Sequence, residues 1–291
     1  MKWPQDLADW PMADVSRKVL CRPHRWHVQE AGHGDTILLI HGAGGATQSW
    51  RAIFPVLAQT HHVVALDLPG QGFTELGARS RCSLRYISED IASLLAQENW
   101  QPSAIIGHSA GGAIALDLAR VGITNHVIGI NAALSNFRGV AGWLFPMMAK
   151  ALAINPLTAR MVSAAATPQS VQNLLKGTGS TLNAAGAALY LRLVRDAGHV
   201  DATLAMMSQW KLDVLAADMA NITARVDLIV ASGDKAVPPE TSVQAAQVMV
   251  NAAVHTIPNL GHLAHEEDAD QVLALIYACL GAAHHVDSPS P

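Results

Sequence analysis

The 291-residue chain is long enough for one large α/β domain, or for one domain carrying an insertion. Half of its residues are hydrophobic and 14% are charged, with a net charge of −4; this describes a globular chain with an apolar interior and gives no electrostatic case for nucleic acid. Three well-separated cysteines, Cys21, Cys82 and Cys279, argue against a disulfide framework or a zinc site and suit a reducing, cytoplasmic setting.

Residues 1–15 hold Trp3, Pro4, Trp10 and Pro11 and read as an irregular N-terminal arm, with no apolar stretch of the kind a secretory signal needs. Ser16 to Val28 reads as one or two strands, and Gly32-His-Gly34 as a turn. Ile37 to Ile40 is a continuous apolar run, expected to be a buried strand, and it ends in the Gly-rich loop His41-Gly-Ala-Gly-Gly45. Thr47 to Leu57 predicts a helix. His62 to Leu66 predicts another buried strand, ending in Asp67-Leu-Pro-Gly-Gln-Gly72. Tyr86 to Gln97 carries apolar residues at helical spacing. Ala104 to Gly107 is a short buried strand, a helical pattern starts after Gly111, and Val127 to Ile130 is the next strand.

Strands that alternate with helices imply a mostly parallel, doubly wound sheet. The rhythm stops after Ala133. Helical segments follow at Trp143 to Ile154, Leu157 to Ala166, Gln169 to Leu175, Leu182 to Arg195 and Val200 to Met219. Strands resume at Val226 to Ala231 and Val254 to Ile257, before a closing helix from Ala269 to Leu280. The expected organisation is therefore an α/β core (16–133 and 225–280), a helical lid insertion (134–224) and a disordered tail (281–291). No stretch reaches the roughly 18 uninterrupted apolar residues of a membrane span. Val140 to Ile154 comes nearest, is interrupted by Pro146 and Lys150, and reads as a lid helix, with peripheral contact to a membrane surface as the alternative.

The chemistry centres on Gly107-His-Ser-Ala-Gly111, a G-x-S-x-G between a strand and a helix. In that context the motif is a nucleophile elbow, whose glycines admit a turn too sharp for side chains and whose serine is lifted clear of the sheet. A serine hydroxyl is a weak nucleophile without a base, and the base needs an orienting carboxylate. Asp234 follows the strand at 226–231 and His262 follows the last strand, so Ser109, Asp234 and His262 are the candidate triad. His265 is a rival base; it opens the closing helix, whereas Gly261 lets His262 sit in a tight turn. The pattern His262-x-x-His265-Glu266 lacks the spacing of a metal motif and a third ligand, so neither a metal nor a cofactor is expected. Ala110 and the loop after the first core strand, through Ala43 with Gly44 close behind, are the expected backbone donors to an oxyanion. His41, His108, Trp143, Phe145, Met147, Met207 and Trp210 are expected to line a pocket for a large apolar substrate. From Leu134 to Ala220 there are seven Lys/Arg and four acids, a balance of +3 against −7 for the remainder; this reads as a solvated helix face, with an anionic ligand as the sharper alternative.

The set His41-Gly-Ala-Gly44, Asp67-Leu-Pro-Gly-Gln-Gly72, Gly107-His-Ser-Ala-Gly111, Gly233-Asp-Lys-Ala-Val-Pro238 and Gly261-His262 resembles the α/β-hydrolase fold superfamily. A narrower resemblance covers nearly the whole chain. Arg25-Trp-His-Val-Gln29, Gly45-Ala-Thr-Gln-Ser-Trp-Arg51, Asn131-Ala-Ala-Leu-Ser-Asn-Phe137, Leu144-Phe-Pro146, Thr178-Gly-Ser180, Met206-Met207 and Leu263-Ala-His-Glu-Glu267 are similar to the BchO family of magnesium chelatase accessory proteins of bacteriochlorophyll synthesis. That resemblance implies a role near the chelatase, which inserts Mg²⁺ into protoporphyrin IX, but it carries no settled reaction. Three readings follow. The chain is a serine hydrolase acting on an ester or acyl group of a large apolar molecule in chlorophyll or bacteriochlorophyll biosynthesis. Or it is a non-catalytic protein that binds a porphyrin or docks on magnesium chelatase subunits. Or it is a general cytoplasmic carboxylesterase or C–C hydrolase.

Overall fold

A computed structural model describes residues 1–135 and 156–284. Its sheet has eight strands: β1 (Ser16–Cys21), β2 (His24–Ala31), β3 (Thr36–Ile40), β4 (His62–Leu66), β5 (Pro102–His108), β6 (His126–Ile130), β7 (Arg225–Ala231) and β8 (Ala252–Ile257). Their order is β1-β2-β4-β3-β5-β6-β7-β8. β1 and β2 form an antiparallel hairpin and β2 joins β4 antiparallel; every later pairing is parallel. The expected mostly parallel α/β sheet is what the chain forms.

The apolar runs are continuous because both faces of the sheet are covered. Leu38, Ile40, Val64, Leu66 and Ile105 point into one core, shared with α2 (Leu84–Glu98) and α3 (Ala110–Arg120). Ile37, Leu39, Val63, Ala65, Ile106 and Ile128 point into the other, shared with α1 (Phe54–Leu57) and the closing helix. The helix expected over Thr47 to Leu57 forms as two pieces, a 3-10 turn at Thr47–Trp50 and then α1. Tertiary contacts overrule the periodicity there. The Thr47 N–H donates to the Asp67 carboxylate and its hydroxyl accepts from the Trp10 indole, while Pro55 opens a new helical turn.

Between β6 and β7 the described helices are α4 (Pro156–Ala165), α5 (Pro168–Gly177), α6 (Ala184–Val194), α7 (Ala197–Gln209) and α8 (Asp213–Asp218). The single helix expected over Val200 to Met219 is broken at Trp210, whose extended backbone lets its ring pack against the first core. The expected helix at 143–154, with Trp143, Phe145, Met147 and Met148, lies outside the described residues. After β7 come α9 (Glu240–Val248), α10 (Ala264–Glu267) and α11 (Ala269–His284). Helix α11 thus runs through the first four residues of the expected tail, and the rest of that tail lies outside the described residues. No helix among the described residues is long and apolar enough to cross a membrane.

Candidate active site

Ser109 sits where β5 turns into α3, with φ 52° and ψ −116°, a region that L-residues avoid. The strain is held by the surroundings. The Ser109 N–H donates to the Ile130 carbonyl, and its own carbonyl accepts from Gly112 and Ala133. The glycines are steric necessities. A Cβ on Gly107 would stand 2.2 Å from the Gly111 carbonyl oxygen, and one on Gly111 would stand 2.1 Å from that of Ile40.

The three candidate triad groups meet at the carboxyl ends of the strands. His262 Nε2 lies 3.0 Å from Ser109 Oγ, and His262 Nδ1 lies 2.7 Å from Asp234 Oδ2. Asp234 keeps His262 protonated at Nδ1, which turns the Nε2 lone pair toward the serine hydroxyl. The other oxygen of Asp234 accepts from the Ala236 and Val237 N–H groups, which fixes the carboxylate in its turn.

The loop carrying His262 is clamped by His108, a residue the sequence placed in the pocket, and by Asn131, Thr178 and Ser180, which sequence reasoning did not single out for the site. The His262 carbonyl accepts from Asn131 Nδ2 and from His108 Nε2. The Thr178 carbonyl, on the loop after α5, accepts from the N–H groups of both His262 and Lys235. Ser180 Oγ accepts from Leu263 N–H. The inserted helices thus help to hold the acid loop and the histidine loop together. For Asn131, Thr178 and Ser180 the only sequence signal was their presence in the segments similar to the chelatase accessory family.

Of the expected oxyanion donors, Ala110 opens α3 and Ala43 is exposed in the loop after β3. Gly44 does not fit that role. Its N–H donates to Gln71 Oε1 at 2.8 Å. His199 secures the loop from the other side: its Nδ1 accepts from Gly72 N–H and its Nε2 donates to the Gly44 carbonyl. Burial, reinforced by His41 nearby, lowers the His199 pKa to about 4. His41 does not line the cavity either. It is fully buried, donating from Nδ1 to the Gly42 carbonyl and accepting at Nε2 from Leu68 N–H, and so braces the loop from beneath.

His265 is not a rival base. It is buried between Trp50 and His108, with ring centroids at 4.9 and 4.4 Å, and neither of its nitrogens has a partner. Burial, then the positive potential of His262 and Arg51, lowers its pKa to about 3. Such a group favours the fold above its unfolded pKa of 6.5, and that contribution is lost as pH falls from 6.5 toward 3. His265→Phe breaks no hydrogen bond. It is therefore expected to make stability fall less steeply between pH 6.5 and 4, by up to about 1.4 kcal/mol per pH unit. Chemical denaturation across that range measures the difference; parallel curves for the two proteins would refute it.

Above Ser109 lies a cavity of about 320 Å³, lined by His108, Ser109, His262 and the loop at Gly42–Gly45, and roofed by side chains of α4 to α7. Val162, Leu174, Val194, Val200 and Leu204 make the roof apolar, with Thr178, Tyr190, His199 and Thr203 as its polar points. His108 lines it. Met207 and Trp210 do not: both are half-buried, and Trp210 packs against the first core instead. Among the described residues no cation lines the cavity; Arg192 and Arg195 donate to backbone carbonyls elsewhere.

A family model of the alpha/beta hydrolase family matches residues 37–275, and the chain belongs to that family. It is 42% identical to the magnesium-chelatase 30 kDa subunit of Rhodobacter capsulatus over 92% of this chain and 95% of that protein. It is 25% identical to a 2-hydroxymuconate semialdehyde hydrolase of Pseudomonas sp. strain CF600, over 90% and 93% of the two chains. Among solved structures, the epoxide hydrolase CorEH superposes with a TM-score of 0.78 at 18% identity, covering 92% and 99% of the two chains. CarC, a serine hydrolase involved in carbazole degradation, superposes with a TM-score of 0.74 at 20% identity, covering 92% and 99%.

Proposed function

We propose that this chain is a serine hydrolase associated with the magnesium chelatase step of bacteriochlorophyll or chlorophyll synthesis, and that it cleaves an ester or acyl group carried by a large apolar molecule. The observation that carries the chemistry is the continuous Ser109–His262–Asp234 relay, with links of 3.0 and 2.7 Å. His262 takes the hydroxyl proton as Ser109 attacks the carbonyl carbon. Asp234 steadies the imidazolium that forms, and the N–H groups of Ala43 and Ala110 receive the oxyanion. His262 then returns the proton to the leaving alcohol, and water repeats the cycle on the acyl-enzyme.

The pathway rests on the 42% identity to the chelatase subunit. The substrate class rests on the apolar roof and on the cavity's volume, at the low end of the ~300–1,000 Å³ usual for ligand sites. That volume suits one arm of a large molecule. A panel of neutral esters, from short acyl esters to the methyl esters of porphyrin propionates, tests this reading. Alcohol release from the large apolar members, absent in Ser109→Ala, is the expected result. No release from any member would overturn it.

A second reading is supported by the name of that same relative, which describes it as a magnesium-chelatase subunit. Here the chain holds a porphyrin or docks on chelatase subunits without catalysis. Titration with protoporphyrin IX then quenches tryptophan fluorescence in wild type and in Ser109→Ala alike. An absence of quenching up to the solubility limit would count against porphyrin binding.

A further inference from the structure

We propose that Asp227, His255 and Cys279 form a zinc site that joins β7, β8 and α11 outside the catalytic cavity. The three residues come from distant parts of the chain and share no motif spacing. The sheet brings them together. Asp227 and His255 lie on neighbouring parallel strands and face the same core as Ile229 and Ile257, onto which α11 packs Cys279. One oxygen, nitrogen and sulfur atom from the three residues lie within 4.8 Å of one another. None of them lines the cavity above Ser109.

The geometry is close to what zinc requires. His255 Nε2 is 2.8 Å from Asp227 Oδ1 and 3.7 Å from Cys279 Sγ. With Zn–N and Zn–O near 2.0–2.1 Å and Zn–S near 2.3 Å, neighbouring ligand atoms of a tetrahedral site stand roughly 3.3–3.7 Å apart. The nitrogen and sulfur already have that separation; the nitrogen and oxygen need to part by about 0.5 Å. The other carboxylate oxygen, Asp227 Oδ2, is held by Arg225 Nε at 2.8 Å and His126 Nε2 at 2.9 Å. These outer partners aim Oδ1 at the shared centre, as the supports around metal ligands do.

Charge and access also agree. Asp227 and the Cys279 thiolate bring two negative charges to one dication. The 2.8 Å bond to the Asp227 carboxylate places the imidazole hydrogen on Nε2, so binding expels the thiol proton and switches the neutral ring to the tautomer protonated on Nδ1, with one proton released per ion. The His255 side chain is 31% exposed, which gives zinc an entry path and leaves the fourth position to water. A purely ionic reading accounts for Arg225, His126 and Asp227; the buried Cys279 thiol also hydrogen-bonds to Asp227, so all three candidate ligands converge on one point.

The experiment uses the full chain, freed of any affinity tag and treated with chelator. Zinc titration against a chromophoric chelator is expected to show one tight site per chain, and cobalt to give a thiolate-to-cobalt charge-transfer band with the visible bands of tetrahedral coordination. Cys279→Ser, which keeps the volume of the buried thiol, should abolish the cobalt thiolate band and weaken zinc by at least about 100-fold; His126→Gln, an outer partner, should weaken it about 10–100-fold. Zinc should also raise the thermal midpoint of wild type and not that of Cys279→Ser. Absence of the cobalt band in wild type, or equal zinc affinity in wild type and Cys279→Ser, would overturn the proposal.

Discussion

In His262→Ala, hydrolysis of p-nitrophenyl acetate is expected to fall about 10⁶-fold in kcat, and in Asp234→Ala about 10⁴-fold. The inequality follows from the geometry. His262 Nε2 stands 3.0 Å from the hydroxyl whose proton it must take, and among the described residues no other imidazole is placed to replace it. His108 donates to a backbone carbonyl, and His265 is sealed between two rings. Asp234 acts one bond further away, by holding the tautomer and balancing the imidazolium. Because the two residues act as one unit, the double variant should be no slower than His262→Ala alone. Losses that multiply in the double variant would mean that the two residues serve separate functions.

Gly111→Ala is expected to cost about 3–4 kcal/mol of stability, among the larger effects a single substitution produces. The added methyl would stand 2.1 Å from the Ile40 carbonyl oxygen and 2.7 Å from that of His41. Both are backbone atoms of β3 and the loop that carries Ala43, so no side-chain rotation relieves the clash. Either α3 moves off the sheet or the loop moves away from Ser109. The thermal midpoint should drop by about 10 °C, and ester turnover should fall in the protein that remains folded. Gly177→Ala is the matched control. Nothing lies within 4 Å of its added methyl, and a change of no more than about 0.5 kcal/mol is expected. Equal effects in the two variants would refute the steric account.

The sheet could be read from the sequence because its strands are covered on both faces and so appear as unbroken apolar runs such as Ile37–Ile40 and Val63–Leu66. The elbow could be read because its sterics leave glycine at 107 and 111. Asp234 and His262 could be named because each follows a strand's carboxyl end in a turn. What stayed hidden depends on which elements touch. Helical periodicity says that Met207 and Trp210 have an apolar face to bury, but not that Tyr190, Val194 and Thr203 would face the serine instead. His41 stands beside the oxyanion loop in sequence, yet its two hydrogen bonds turn it beneath that loop. The sequence ranked Ala43 only narrowly ahead of Gly44 and could not show that Gln71, 27 residues away, occupies the Gly44 N–H. Asp227, His255 and Cys279 have no common spacing, and only the packing of α11 on β7 and β8 brings them together.

The most direct measurement is reaction of the purified protein with a fluorophosphonate, read by intact mass and by mapping of the modified peptide. The account predicts one adduct per chain on Ser109, absent in Ser109→Ala and strongly slowed in His262→Ala. A folded wild-type protein that forms no adduct, or forms it at another residue, would contradict the claim that His262 and Asp234 make Ser109 a nucleophile.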